Sequence, residues 1–212
     1  MHSPKTVSEW DVQFTVAIDG PAAAGKGTIA RGLASIFGFA HLDTGLLYRA
    51  VGRRALEGTP ALIAASTLRF RDIGRPDLRT PEVSEAASKV AADPDVRESL
   101  VAFQRDFARR DGGAVLDGRD IGTVICPDAE VKLFVTASVV VRARRRWIEL
   151  RDAGHELQET DVLEDVEARD RRDREREEAP MAAGEDAISF DTTEMSVSDA
   201  LEQASELVRA RL

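Results

Sequence analysis

The sequence predicts an α/β fold: one parallel sheet with helices on both faces. Three observations carry this. Short apolar runs alternate along the chain with longer helical patterns, the arrangement that parallel sheets need for their crossovers. The first apolar run, Phe14-Thr15-Val16-Ala17-Ile18-Asp19, opens into the glycine-bracketed loop Gly20-Pro21-Ala22-Ala23-Ala24-Gly25-Lys26-Gly27-Thr28 and then into a helical pattern. Aspartates close several of the apolar runs, so Asp19, Asp43, Asp117 and Asp191 are expected along one edge, at the carboxyl ends of the strands where such sheets bind ligands.

The elements read in order as follows. Residues 14–19 form a buried strand and 26–37 a helix; 40–43 form a second strand and 44–56 a helix. Residues 57–80 give no clear period, because Pro60, Gly74, Pro76 and Arg79-Thr80-Pro81 interrupt them. Residues 82–92 are helical. Asp93-Pro94 is an N-cap followed by proline at the first helical position, opening a helix to about Arg110. Strands follow at 114–117 and 131–135. Ser138 starts a helix to about Asp152, and residues 154–160 read as a loop. A charged helix spans 161–178, a fifth strand 188–191, and Ser196-Val197-Ser198-Asp199 resembles a capping box before a final amphipathic helix.

The bulk properties narrow the class. A chain of 212 residues with 43% apolar content can bury one sizeable core. No run of eighteen apolar residues is present, so no membrane span is expected. The polar N-terminus, Met1 to Asp11, lacks the apolar core of a signal peptide, and the lone Cys126 can form no internal disulfide; both suit a cytoplasmic protein. The net charge of −9 argues against non-specific coating of nucleic acid. Arginine far outnumbers lysine and clusters at 142–146 and 169–176, where guanidinium forks could hold a small polyanion.

The loop 20–28 carries the sharpest signal. In a strand–loop–helix context, G-x-x-x-x-G-K means a phosphate cradle: backbone N–H groups form an anion nest, the helix N-terminus adds partial positive charge, and Lys26 adds a full one on the β- and γ-phosphates. All nine residues, Gly20, Pro21, Ala22, Ala23, Ala24, Gly25, Lys26, Gly27 and Thr28, are candidate ATP contacts. The fold expected is therefore a three-layer P-loop NTPase fold on a five-stranded parallel sheet. Asp117 ends an apolar strand, as a Mg²⁺-orienting carboxylate does in other P-loop enzymes, and would act through water with Mg²⁺ arriving as MgATP. No direct metal ligand set is predicted.

Further polar clusters follow the strands: Asp43-Thr44-Gly45-Leu46-Leu47-Tyr48-Arg49, Asp117-Gly118-Arg119-Asp120-Ile121-Gly122-Thr123, and Arg169-Asp170-Arg171-Arg172-Asp173-Arg174-Glu175-Arg176. With these residues the chain resembles the bacterial cytidylate kinase family. That family carries G-P-x-x-x-G-K-G-T, L-D-[ST]-G-x-x-Y-R, A-S-x-V-A, D-G-R-D-x-G-T and R-D-x-R-D-R-x-R, and all five occur here in that order between Gly20 and Arg176. Thr28 follows Lys26 only after Gly27, the ending seen in nucleoside monophosphate kinases.

The resemblance implies transfer of the γ-phosphoryl group of ATP to CMP or dCMP. Such transfer needs two phosphate sites and charge neutralisation. Arg49, Arg79 and Arg119 are candidates for the acceptor phosphate, with Asp43 and Thr44 beside them. The resemblance assigns cytosine to Ser88, Arg97 and Asp120, the sugar to Arg169 and Asp173, and the migrating phosphoryl group to Arg176 as a lid closes. Lys26, Asp117, Arg119 and Arg176 are thus the candidate catalytic residues. Asp117 could alternatively cap its own turn, Ser88 could bond its own helix, and Tyr48 could lie beneath the acceptor or fill the core. His41 reads as packing, and His2, His155 and Cys126 have no partner spacing.

The expected organisation is a single domain, 1–212, with a core of 12–56, 82–150 and 179–212. A short acceptor segment of about 57–81 and a lid of about 151–178 complete it. Many family members are longer between Arg49 and Arg79, and no strand pattern shows here. A monomer without nucleic-acid or membrane partners is expected. The rivals are a kinase of UMP or of a small metabolite, and a nucleotide-binding module without catalysis.

Overall fold

A computed structural model describes residues 13–212. The expectations for Met1 to Asp11, His2 included, lie outside the described residues.

Five strands form one parallel sheet: β1 (Thr15–Asp19), β2 (Ala40–Asp43), β3 (Ala114–Asp117), β4 (Val131–Thr136) and β5 (Ile188–Asp191), in the order β2-β3-β1-β4-β5. The helices are α1 (Lys26–Phe37), α2 (Thr44–Leu56), α3 (Ala61–Ser66), α4 (Phe70–Ile73), α5 (Pro81–Val90), α6 (Pro94–Ala108), α7 (Val139–Asp152), α8 (Glu159–Glu175) and α9 (Val197–Arg209). Side-chain alternation sorts the strands onto two cores. Val16, Ile18, Val115 and Leu133 pack under α1 and α9 with Leu33, Ala204 and Val208. Ala17, Leu42 and Leu116 pack on the other face with Leu47, Val96 and Leu100 of α2 and α6. The strand aspartates Asp19, Asp43, Asp117 and Asp191 do close β1, β2, β3 and β5.

The short segment after α2 resolves into α3, α4 and a 3₁₀ turn at Pro76–Arg79. Its prolines and glycine do not erase structure; they cut it into single turns. Ala64, Ala65 and Leu78 anchor these turns in the core. The N-caps read from sequence form, although at Ser196 only the forward bond of the expected capping box is present and not the return bond from Asp199. Asp93 accepts from the N–H of Asp95 at 3.0 Å ahead of Pro94, and Ser196 accepts from the N–H of Asp199 at 3.1 Å.

Several boundaries shift by a residue or two, and two larger differences have a visible cause. The charged helix runs over Glu159–Glu175 rather than 161–178, so the preceding loop is shorter and Arg176 leaves the helix in extended backbone. The helix expected to reach Arg110 stops at Ala108, and Gly112 and Gly113, both at positive φ, turn the chain into β3. Residues Ile121–Ile125 form a π-helical turn that no local pattern announces. It exists because Asp19 at the tip of β1 accepts from the N–H groups of both Ile121 and Gly122 at 2.7 Å. Helices α7 and α8 pair through Ala143, Leu150, Val162 and Val166, closed by a Trp147 indole N–H bond to the Leu157 carbonyl at 2.8 Å.

Candidate active site

The loop between β1 and α1 is a strained, preformed cradle. Gly20 sits at φ 138°, and a Cβ there would stand 1.9 Å from the Val135 carbonyl oxygen, so only glycine fits. Ala23 at φ 59° and Gly25 at φ 93° add left-handed turns of the kind that make concave amide nests. Gly25 caps α1 without any side-chain bond, leaving the helix N-terminus to face an anion. Two side chains from later elements brace the loop. Arg142 donates to the Ala22 carbonyl at 3.2 Å, and Thr192 donates to the Ala24 carbonyl at 2.9 Å. Arg142 is itself locked by a buried, two-pronged pair with Asp170 at 3.1 and 2.6 Å. The arginine run at 142–146 was expected to offer forks for a polyanion; Arg142 instead braces the loop and pairs with Asp170, and neither Asp170 nor Thr192 has a role in that expectation.

A cavity of about 510 Å³ opens from this cradle. Residues 22–28 form one wall; Asp43, Arg49, Arg79, Arg119 and Arg169 lie on the other, with Asp117 between. The Lys26 ammonium donates to the Pro21 carbonyl at 2.7 Å. Burial first, and then the charge of Arg119, push its pKa down to about 7. Burial, with Arg169 and Arg146 nearby, lowers Arg49 to about 9; burial and Arg119 lower Arg169 to about 10. These cations repel one another in a partly dry space, and an anion would relieve them all.

All but one of the cations on the second wall already have a hydrogen-bond partner. Arg49 donates to the Leu78 carbonyl at 2.8 Å and to Ser84 Oγ at 2.7 Å. Arg79 donates to Asp43 at 3.2 Å, and Arg119 Nε donates to Asp173 at 2.7 Å. Burial raises the Asp173 carboxyl, but Arg119 and Arg169 outweigh it and hold it below the usual range. Arg169 Nε is buried without a hydrogen bond, 3.9 Å from Asp173 Oδ2.

A second cluster sits behind this wall. Arg97 binds one Asp120 oxygen, and Arg176 Nη2 stands 3.3 Å from the other. The Arg97 guanidinium also lies over the Tyr48 ring, 5.9 Å from its centre. Ser88 Oγ is buried and makes no hydrogen bond. Ser88, Arg97, Asp120, Asp173 and Arg176 do not line the large cavity. Arg176 thus faces Asp120 and not the loop 20–28. Thr44 is also withdrawn: it is buried and donates to the Asp117 carbonyl at 2.8 Å.

His41 departs from the packing role expected of it. Its Nε2 lies 2.7 Å from Asp117 Oδ2, because both residues project from the same face of neighbouring strands. Cys126 is buried, which pushes its thiol up to about 11. Among the described residues no three His, Cys, Asp or Glu side chains gather as a metal cluster. No described helix is long and apolar enough to cross a membrane.

The family described as cytidylate kinase matches residues 16–71 and 64–210. A cytidylate kinase of Cereibacter sphaeroides is 61% identical over 200 residues, covering 94% of this chain and 97% of that protein. One from Granulibacter bethesdensis is 55% identical over 207 residues, covering 94% and 99%. Among solved structures, an uncharacterised protein from Eubacterium ventriosum shares the fold, with a TM-score of 0.56 and 15% identity over 93% of this chain and 99% of that one.

Proposed function

Because the chain belongs to the cytidylate kinase family, we propose that the cavity joins ATP to CMP or dCMP and that its residues pass the γ-phosphoryl group between them, giving ADP and CDP or dCDP. The observation that carries this is the single cavity walled by residues 22–28 on one side and by Arg49, Arg79, Arg119 and Arg169 on the other. Phosphoryl transfer asks for two anion sites facing each other across one dry space.

In this reading the loop 20–28 holds the triphosphate of ATP and Lys26 moves from the Pro21 carbonyl to its outer phosphates. Arg49, Arg79 and Arg119 take the acceptor phosphate, with Asp43 on the cavity lining beside them and Thr44 withdrawn onto the Asp117 carbonyl. Arg169 and Asp173 hold the sugar. Asp120 accepts from the exocyclic amino group of cytosine, while Arg97 and Ser88 donate to its ring nitrogen and carbonyl; the unbonded Ser88 hydroxyl fits a partner supplied by a ligand. Uracil would present an oxygen to Asp120 and be repelled. Arg176 starts on Asp120 and would have to leave it to reach the migrating group, so the base and the resting arginine compete for the same carboxylate and base binding would free the arginine.

The donor set suits Mg²⁺ brought by the nucleotide. Asp117 and Thr28 both line the cavity, and Asp117 Oδ1 stands 4.0 Å from where a Cβ on Gly27 would lie, so the carboxylate overlooks the loop. Hard oxygen donors and room for water are what this ion prefers. When bound it would neutralise charge on the phosphates; Asp117 would orient its water shell. The segment of about 151–178, which holds α8 and the connection leading to it from α7, acts as a lid over this space, about 57–81 as the acceptor segment, and the rest as one core.

The test is an assay with MgATP and a panel of monophosphates. CMP and dCMP should turn over, and UMP, AMP and GMP should be poor acceptors. Turnover confined to AMP, GMP or UMP would overturn the reading.

A further inference from the structure

We propose that His41 is a positioning residue for Asp117: its imidazole N–H fixes one carboxylate oxygen so that the other is held toward the nucleotide's metal and away from the cavity's cations. The inference rests on the placement of Asp117 just given.

Asp117 sits at the end of β3, in register with Asp43 of β2, while His41 is in register with Val115. Neighbouring strands in register share a face, so His41 and Asp117 project together onto the α1 side of the sheet, where Val115 packs. A carboxylate only accepts, so the proton of the 2.7 Å contact belongs to His41 Nε2. Thr44 holds the Asp117 main chain through its carbonyl. Among the described residues, His41 is the only side chain that hydrogen-bonds the Asp117 carboxylate.

Consider the same carboxylate without that donor. The Lys26 ammonium and the Arg119 guanidinium both act on Asp117 electrostatically. In a partly dry cavity such attraction is strong, and a free carboxylate would rotate toward them. It would then tie up cations that the phosphates need and surrender its outlook over Gly27 and Thr28. His41 prevents this from the edge strand, without touching the nucleotide. Partners of this outer kind change metal affinity about 10–100-fold when removed.

The experiment measures ATP binding by calorimetry without acceptor, once with Mg²⁺ and once with chelator. The ratio of the two affinities is the metal's share. Asp117→Asn calibrates it and should lower the share about tenfold. His41→Phe keeps the ring but loses the donor, and its share should fall to within about twofold of the Asp117→Asn value. His41→Gln returns an N–H at the Nε2 position and should recover most of the loss. His41→Leu carries the same expectation as His41→Phe if the latter does not fold. If Asp117→Asn loses the metal's share while His41→Phe keeps it, or if His41→Gln is as impaired as His41→Phe, the inference is wrong and the Asp117 reading stands. If Asp117→Asn itself keeps the wild-type share, the reading beneath it fails.

Discussion

The two walls of the cavity are built from different material. The donor wall is main chain: residues 22–28 of a loop shaped by Gly20, Ala23 and Gly25 at positive φ and braced by Arg142 and Thr192. The acceptor side is side chain: Asp43, Arg49, Arg79, Arg119 and Arg169 line the cavity, and Arg97, Asp120, Asp173 and Arg176 lie outside its lining, most of them already held in ion pairs. A cradle of amides is finished once the chain folds and loses nothing when a phosphate enters. In the proposed reading these ion pairs must exchange partners, because Asp120 and Asp173 would hold the cations or the nucleotide groups, and not both at once. Specificity on that side would then come from the exchange, since a base that cannot replace the lost partners leaves buried charges unpaired.

Sharp changes to the donor wall should therefore cost rate, and changes to the acceptor wall should cost discrimination. The largest effect expected is from Asp170→Ala, which strands Arg142 in a buried site beside the Ala22 carbonyl. It should lower stability by about 3–5 kcal/mol in chemical denaturation, as broken buried pairs do. Lys26→Ala should lower kcat about 10²–10³-fold in steady-state assays with the melting temperature little changed, because one preorganised charge is lost. Asp120→Asn should shrink the ratio of kcat/KM for CMP over UMP by about 10–100-fold, the worth of one charged hydrogen bond, with the KM for ATP unmoved.

A smaller effect follows from charge. In the free protein Lys26 has a pKa lowered to about 7, and a bound triphosphate should raise it again. Above pH 7 the free protein has lost this proton and the complex has regained it. ATP binding should then take up a proton, seen in calorimetry across buffers of different ionisation enthalpy, and affinity should fall at most about tenfold per pH unit. Smallest of all, Cys126→Ser should leave both walls and the rate within about twofold, since the thiol is buried and touches neither.

The same contrast explains what the sequence made legible. The donor loop could be read whole because backbone conformation is written in neighbouring residues: a glycine where Val135 approaches, another where α1 begins. The strands and α1 and α2 were equally plain, since each has one periodicity and a turn residue at either end. The segment 57–80 was not, because elements of four to six residues are too short to show a period and hold together only through tertiary contacts at Ala64 and Leu78. Neither was the π-helical turn at Ile121–Ile125, whose cause is Asp19, about a hundred residues earlier. His41 looked like filler because its partner is on another strand. Arg176 was expected inside the charged helix of 161–178, yet α8 ends one residue before it. Individual acceptor residues could be named from motifs, but not their pairing, because ion pairs across the fold leave no mark in local sequence.

The most direct measurement is a crystal structure with a bisubstrate analogue that links adenosine and cytidine through phosphates. The adenosine-side phosphates should lie against residues 20–28, with Lys26 turned onto them, and the cytosine amino group should meet an Asp120 carboxylate released by Arg176. Phosphates lying anywhere else, or cytosine bound while Arg176 still holds Asp120, would contradict the division between a finished wall and one that exchanges its partners.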